Sequence, residues 1–131
     1  MSVTIAAAPK QSLGVALATA IGANSTIELR SGGKPATADT AATGTLLATV
    51  NVVGSFTSTA GVLTATDPVS VLPVAAGTAG YFRVLTSGAA PILDGTATAS
   101  GGGGDLQLGS LTITMGVSVD LGVPTITVPS F

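Results

Sequence analysis

After Asn24 this sequence never runs far before it is made to turn. Turn-forming combinations stand at Gly54-Ser55, Asp67-Pro68, Ser87-Gly88, Asp94-Gly95, the four glycines of 101–104, Met115-Gly116 and Leu121-Gly122. Gly supplies positive φ without steric penalty, Pro presets φ, and Asp and Ser close turns through their side chains. The runs between them are short, roughly four to eight residues, and alternate apolar with polar as a half-buried strand does, most clearly in Thr26-Ile27-Glu28-Leu29-Arg30. Candidate strands are 26–30, 45–53, 61–66, 69–74, 80–86, 91–94, 106–108, 111–115, 117–121 and 125–128, with a surface loop at 34–44. No alternation of strands with long helical patterns occurs, which argues against a doubly wound parallel sheet. The expectation is a mainly β chain folded as an antiparallel β-sandwich, jelly-roll-like, with one short N-terminal helix.

That helix is expected over 11–22, where Leu13, Leu17 and Ile21 recur every four residues, Ala16 and Ala20 fill the same stripe, and Gly22 supplies the stop. Alternation of Val15, Leu17 and Thr19 with small residues leaves a strand as the competing reading. There is no internal repeat and no shift of composition along the chain. Residues 1–131 are therefore read as a single β-sandwich domain, with 1–10 an N-terminal extension and 121–131 a C-terminal strand or tail. Leu, Ile, Val and Phe make up 27% of the chain, above the roughly 20% below which chains tend to stay disordered.

Composition narrows the function. Ala, Thr, Gly and Ser account for 71 of the 131 residues, only ten residues are charged, and the net charge is −2. Nucleic acid is not expected as a partner, because its binding relies on clustered Lys and Arg. The absence of His and Cys removes Ser-His and Cys-His nucleophile pairs, disulfides and the usual zinc sites. The uncharged stretches are interrupted by Thr, Ser, Asn and Gly too often to span a bilayer, so no membrane is expected. Lys10 ahead of the apolar run 13–20, with Ala18-Thr19-Ala20 behind it, has the outline of a secretion signal. Its single basic residue lies ten positions in, and the segment is read as part of the fold. With so little charge, Thr and Ser must solvate the exterior, and sheet edges lack the Lys and Glu that discourage pairing, so association is expected.

No motif carries a catalytic assignment. Gly32-Gly33-Lys34 fails the phosphate-loop pattern, since Glu28 stands where a Gly is needed and Pro35 follows the Lys. Ser31 and Lys34 have the spacing of a Ser-x-x-Lys pair, but two glycines after a strand replace the helix that would align them. Asp67, Asp94 and Asp105 adjoin Pro or Gly and are read as turn residues, so neither a carboxylate pair nor a metal site is expected. The 101–104 glycines read as a flexible connection inside a hairpin. Asn24-Ser25-Thr26 fits a glycosylation acceptor, a pattern frequent by chance in a Thr-rich chain. In Tyr81-Phe82-Arg83, adjacent rings face opposite ways, one into the core and the other toward the outer layer or a partner. No catalytic, cofactor-binding or metal-binding residue is assigned, and no cofactor or enzymatic activity is expected.

Several segments together resemble a family of small virion proteins of tailed bacteriophages. They are Ile27-Glu28-Leu29-Arg30-Ser31-Gly32, Lys34-Pro35-Ala36-Thr37-Ala38-Asp39 and Thr43-Gly44-Thr45-Leu46-Leu47-Ala48-Thr49-Val50. Later matches are Gly77-Thr78-Ala79-Gly80-Tyr81-Phe82-Arg83-Val84, Leu93-Asp94-Gly95, Gly104-Asp105-Leu106-Gln107-Leu108 and Ile113-Thr114-Met115-Gly116. The resemblance spans 13–128, and the stretch from Pro35 to Thr49 is its most specific part. It implies a capsid cement or decoration protein on the outer surface of the virion, assembled in the host cytoplasm. Its implied partners are the major capsid protein and further copies of itself, as a dimer or trimer. The uncharged ends, 1–9 and 121–131, are candidates to reach neighbouring subunits. Another virion part, such as a tail-tube, neck or fibre-associated protein, is the alternative. A surface carbohydrate-binding or adhesin module is a further one, disfavoured by the absence of Trp.

Overall fold

The computed structural model describes residues 4–65, 70–103, 106–121 and 125–127. One helix, α1 (Ala7–Ile21), precedes nine strands: β1 (Thr26–Ser31), β2 (Leu46–Asn51), β3 (Thr57–Thr59), β4 (Val62–Thr64), β5 (Gly77–Leu85), β6 (Pro91–Ala99), β7 (Leu106–Leu108), β8 (Thr112–Ile113) and β9 (Thr125–Thr127). The chain is mainly β with one helix, as the sequence indicates.

The larger sheet has the order β2-β1-β5-β6-β7, with β8 pairing to β5 beside that path. Strand β5 holds it together. Residues 81–85 pair with β6, while Gly77 and Thr78 pair with β8 opposite Ile113 and Thr112. Beyond Thr96, β6 leaves β5 and pairs with β7, so the sheet curls. The second sheet has the order β3-β4-β9. Ile27, Leu29, Val50, Phe82 and Val84 of the large sheet and Leu63 of the small one belong to one buried cluster, joined by Ile21 of the helix.

Several expectations need correction. The sheets are not purely antiparallel, because β6 and β7 run parallel with Ala97 opposite Leu106. The glycines after β6 therefore do not close a hairpin. Gly101 and Gly103 take positive φ, and Gly102 N–H bonds to Ala99 C=O at 2.9 Å, folding the chain back to restart in its original direction. Gly104 and Asp105 lie outside the described residues.

Asp94-Gly95 is not a turn but the middle of β6. Asp94 has a cationic partner on β5, and Gly95 is buried opposite Phe82.

The helix begins at Ala7, so residues 7–10 of the expected N-terminal extension belong to it. Pro9 lies in its first turn, where backbone N–H groups have no intrahelical partner to lose. Gly22 ends it with φ +74. Its inward face is also rotated from the expected stripe. Gly14 and Ile21 are buried, whereas Leu13 is 45% exposed. Gly14 rests against the β3–β4 hairpin so closely that a Cβ there would collide with Ser58 Oγ. Gln11 Nε2 donates to Ser58 C=O at 2.9 Å.

The C-terminal end is partly anchored, since Thr125–Thr127 pair with β4. The expected strands 69–74 and 117–121 reduce, among their described residues, to a single antiparallel bridge between Val71 and Val119. Residues 1–3, 66–69, 122–124 and 128–131, on which parts of the expected strands and tails fall, lie outside the described residues.

Candidate functional site

Alternation along β1 and β5 sends Ile27, Leu29, Phe82 and Val84 into the core and turns Glu28, Arg30, Tyr81 and Arg83 to the opposite face. Registry then sets the charges side by side. Arg83 stands opposite Glu28 on β1 and opposite Asp94 on β6.

The Arg83 guanidinium grips Asp94 with two bonds, Nε to Oδ1 at 2.6 Å and Nη2 to Oδ2 at 2.9 Å. Nη2 also donates to Thr40 C=O at 2.8 Å. Both side chains of the pair are almost fully buried, 5% and 4% exposed. Arg30 Nε reaches Glu28 Oε1 at 3.1 Å in a more open position. Tyr81 is fully buried, donates its hydroxyl to Thr43 C=O at 2.7 Å and accepts from Thr43 N–H at 3.0 Å.

These bonds fasten the loop 32–45 over the sheet. Ser31 Oγ accepts from Thr45 N–H at 2.9 Å, and Thr43 Oγ1 donates to Gly33 C=O at 3.1 Å. The expected surface loop is thus a lid fixed at Thr40 and Thr43. Of Tyr81 and Phe82, one enters the core and the other faces outward as expected, but Tyr81 is sealed beneath this loop and presents nothing to a partner.

Electrostatically the cluster is closed. Two arginines and two carboxylates balance, and the Asp94 carboxylate is held at both oxygens by guanidinium. Arg83 is pushed above its ordinary pKa, chiefly by the hydrogen bond to Asp94, with the charges of Asp94, Tyr81 and Glu28 adding to it and burial opposing it. The arrangement clamps three strands and the loop to one another. The turn at Ser87-Gly88 marks the β5–β6 hairpin, but Arg83 comes to stand opposite Asp94 only through a register shift between Val84 and Leu85, which no turn residue signals.

The other candidates stay apart. Ser31 Oγ is engaged with Thr45, and Lys34 is exposed. Asp39 and Asp120 are exposed, and Asp67 and Asp105 lie outside the described residues. Among the described residues no three His, Cys, Asp or Glu side chains group to hold a metal ion. A cavity of about 250 Å³ lies between β7, β8 and residues 117–120, lined by Leu108, Ser110, Ile113, Val117 and Asp120. It falls below the roughly 300–1,000 Å³ usual for small-molecule sites. No described helix is long and apolar enough to cross a membrane. Asn24 of the glycosylation pattern takes φ +56 in a turn, and Ser25 is fully buried.

What the surface does offer is apolar. Val53, Leu72, Val74, Met115 and Val117 are 56–64% exposed, and the Val71–Val119 bridge brings the segments carrying Leu72, Val74 and Val117 together. Compared with family models, with curated proteins and with solved structures, the chain matches none.

Proposed function

We propose that this chain is a structural virion protein of a tailed bacteriophage, a cement or decoration subunit that binds across junctions of the major capsid protein and stabilises the head. One observation carries the reading: half of the charges that the described residues possess are paired on one face of the large sheet. Glu28 with Arg30 and Arg83 with Asp94 neutralise one another, the latter pair beneath the loop 32–45. Lys34, Asp39 and Asp120 are the exposed charges among the described residues, and Val53, Leu72, Val74, Met115 and Val117 are exposed as well. A contact made by such a surface sheds little water from ions, so the desolvation penalty is small. Large apolar exposure on a folded chain marks surfaces that meet other proteins.

The segments that resemble phage virion proteins include both strands of the ionic pair and the loop above it, and this resemblance supports the reading of a subunit on the outer surface of the capsid. In this reading the two sheets are the halves of a jelly-roll-like sandwich, supported by the single core that Leu63 of β4 shares with Ile27, Phe82 and Val84. The subunit acts by summed contact, strengthening the shell as any ligand of a folded state strengthens it.

Particles treated with mild denaturant, followed by weighing of what is shed, test the proposal. Release of this chain from heads that remain intact, and restored resistance when it is added back, support it. Retention on isolated tails overturns it.

A further inference from the structure

Strand β2 is the outer strand of the large sheet, and its pairing with β1 decides which backbone groups it has left. Val52 N–H donates to Ser25 C=O at 2.9 Å. Val50 and Ala48 lie opposite Ile27 and Leu29 two and four residues further along. In an antiparallel ladder these are the hydrogen-bonded positions, so the intervening residues point their N–H and C=O groups away from the partner strand. The outward residues are Thr49, Asn51 and, as the chain continues, Val53. Val74 N–H caps the edge at Leu47 C=O, at 2.7 Å. Beyond that bond, Thr49, Asn51 and Val53 have no backbone partner among the described residues.

We infer that this edge pairs with the same edge of a second copy, antiparallel about a twofold axis at Asn51, joining two large sheets into one. Three features select a second copy over another partner. The free groups are self-complementary: Asn51 meets Asn51, and Thr49 meets Val53, each residue offering one donor and one acceptor, as a twofold interface requires. The edge carries no charge, the sequence being uncharged from Thr40 to Ala65. A twofold seam this short brings any charge on the edge close to the same charge of the other copy, so a charged edge would repel itself, whereas a partner of opposite charge would call for one. Natural edges are blunted by Lys, Pro or bulges; between Leu46 and Val53 no Lys or Pro occurs, and the register irregularity of β2 lies at Leu47, outside the 49–53 stretch that pairs. Val53 and Val74, 59% and 64% exposed, flank the seam with apolar surface. The pairing belongs to the chain in solution, so its failure leaves the virion role standing, and failure of that role leaves the pairing standing.

The chain has no cysteine, which permits a direct test. Paired antiparallel residues that exchange hydrogen bonds have Cα atoms about 5.5 Å apart, within the roughly 4.4–6.8 Å that a disulfide spans. Asn51→Cys is expected to form a disulfide-linked dimer under mild oxidation, while Ser12→Cys, exposed on the helix, stays uncrosslinked in the same time. Asn51→Pro removes only an outward N–H and leaves the β1 ladder whole, and it should weaken the dimer roughly tenfold or more through two lost hydrogen bonds. Asn51→Lys, which keeps every backbone group, should dissociate the dimer at low salt and regain it as salt rises. Sedimentation over a concentration series reads the masses, and circular dichroism reports that each variant is folded. A monomeric parent chain, crosslinking of Asn51→Cys no faster than that of Ser12→Cys, or a folded Asn51→Lys that dimerises like the parent overturns the inference.

Discussion

On one side of β1 and β5, Ile27, Leu29, Phe82 and Val84 are buried against other hydrophobic side chains; on the other, Tyr81 and Arg83 are covered by a loop, with Glu28 and Arg30 paired beside them. Both faces are shielded from water, but by unlike means. The apolar face is stabilised by area alone, about 25 cal/mol per Å² removed from water, and tolerates repacking. The polar face gains little net energy from its ion pair, because two charges were desolvated to make it. What it gains is position: three strands and the loop 32–45 are fixed by bonds that form in only one register. A chain with ten charges has used four of them in this way, and its exterior is correspondingly bare.

The sharpest way to break the contrast is to remove one member of the ion pair. Arg83→Met leaves the Asp94 carboxylate buried without its partner and Thr40 C=O without its donor. It should destabilise the fold by about 3–5 kcal/mol. Thermal unfolding should then show a midpoint more than about 10 °C lower. Leu29→Ala, on the apolar face, should cost about 2–4 kcal/mol by leaving a cavity. The double variant Arg83→Met with Asp94→Leu sharpens the comparison, because replacing both charges with apolar groups should recover most of the loss, to within about 1–2 kcal/mol of the parent. A double variant no more stable than Arg83→Met would mean that the pair contributes more than mutual neutralisation.

Tyr81→Phe keeps the ring and removes the hydroxyl shared with Thr43. The expected loss is about 1–2 kcal/mol, together with faster proteolysis confined to 32–45, whereas Leu29→Ala should loosen the molecule throughout. The smallest effects come from Lys34→Ala, within about 0.5 kcal/mol, and from alkali. Arg83 is held above its ordinary pKa, so its contribution is complete below the unfolded value and disappears only as pH rises through the raised one. Protease resistance of the loop should therefore show no loss from Arg83 at any alkaline pH below the ordinary arginine pKa.

Much of the fold is legible in the residues. The period-two alternation of 26–30 gives β1 and both of its faces, Gly22 marks the helix end, and Ser87-Gly88 marks the β5–β6 hairpin. Asp94-Gly95 misleads because a local rule sees two turn-formers, while the structure uses one as a counter-ion and the other opposite a phenyl ring. Pro9 hides the true start of α1, since it breaks helices everywhere except in the first turn. Strand β3, Thr57–Thr59, lacks apolar alternation altogether and exists because it pairs with β4 and supports the helix.

The sequence by itself determined a mainly β chain with one N-terminal helix, short strands and a low density of charge. These follow from periodicity and composition, which act over a few residues or over the whole chain at once. Only the tertiary structure decided that β6 and β7 run parallel, that the helix turns Gly14 rather than Leu13 inward, and that four scattered charges pair on one face of the large sheet. Those outcomes depend on which strands become neighbours, and registry between distant segments is set by the joint packing of all of them, not by any one.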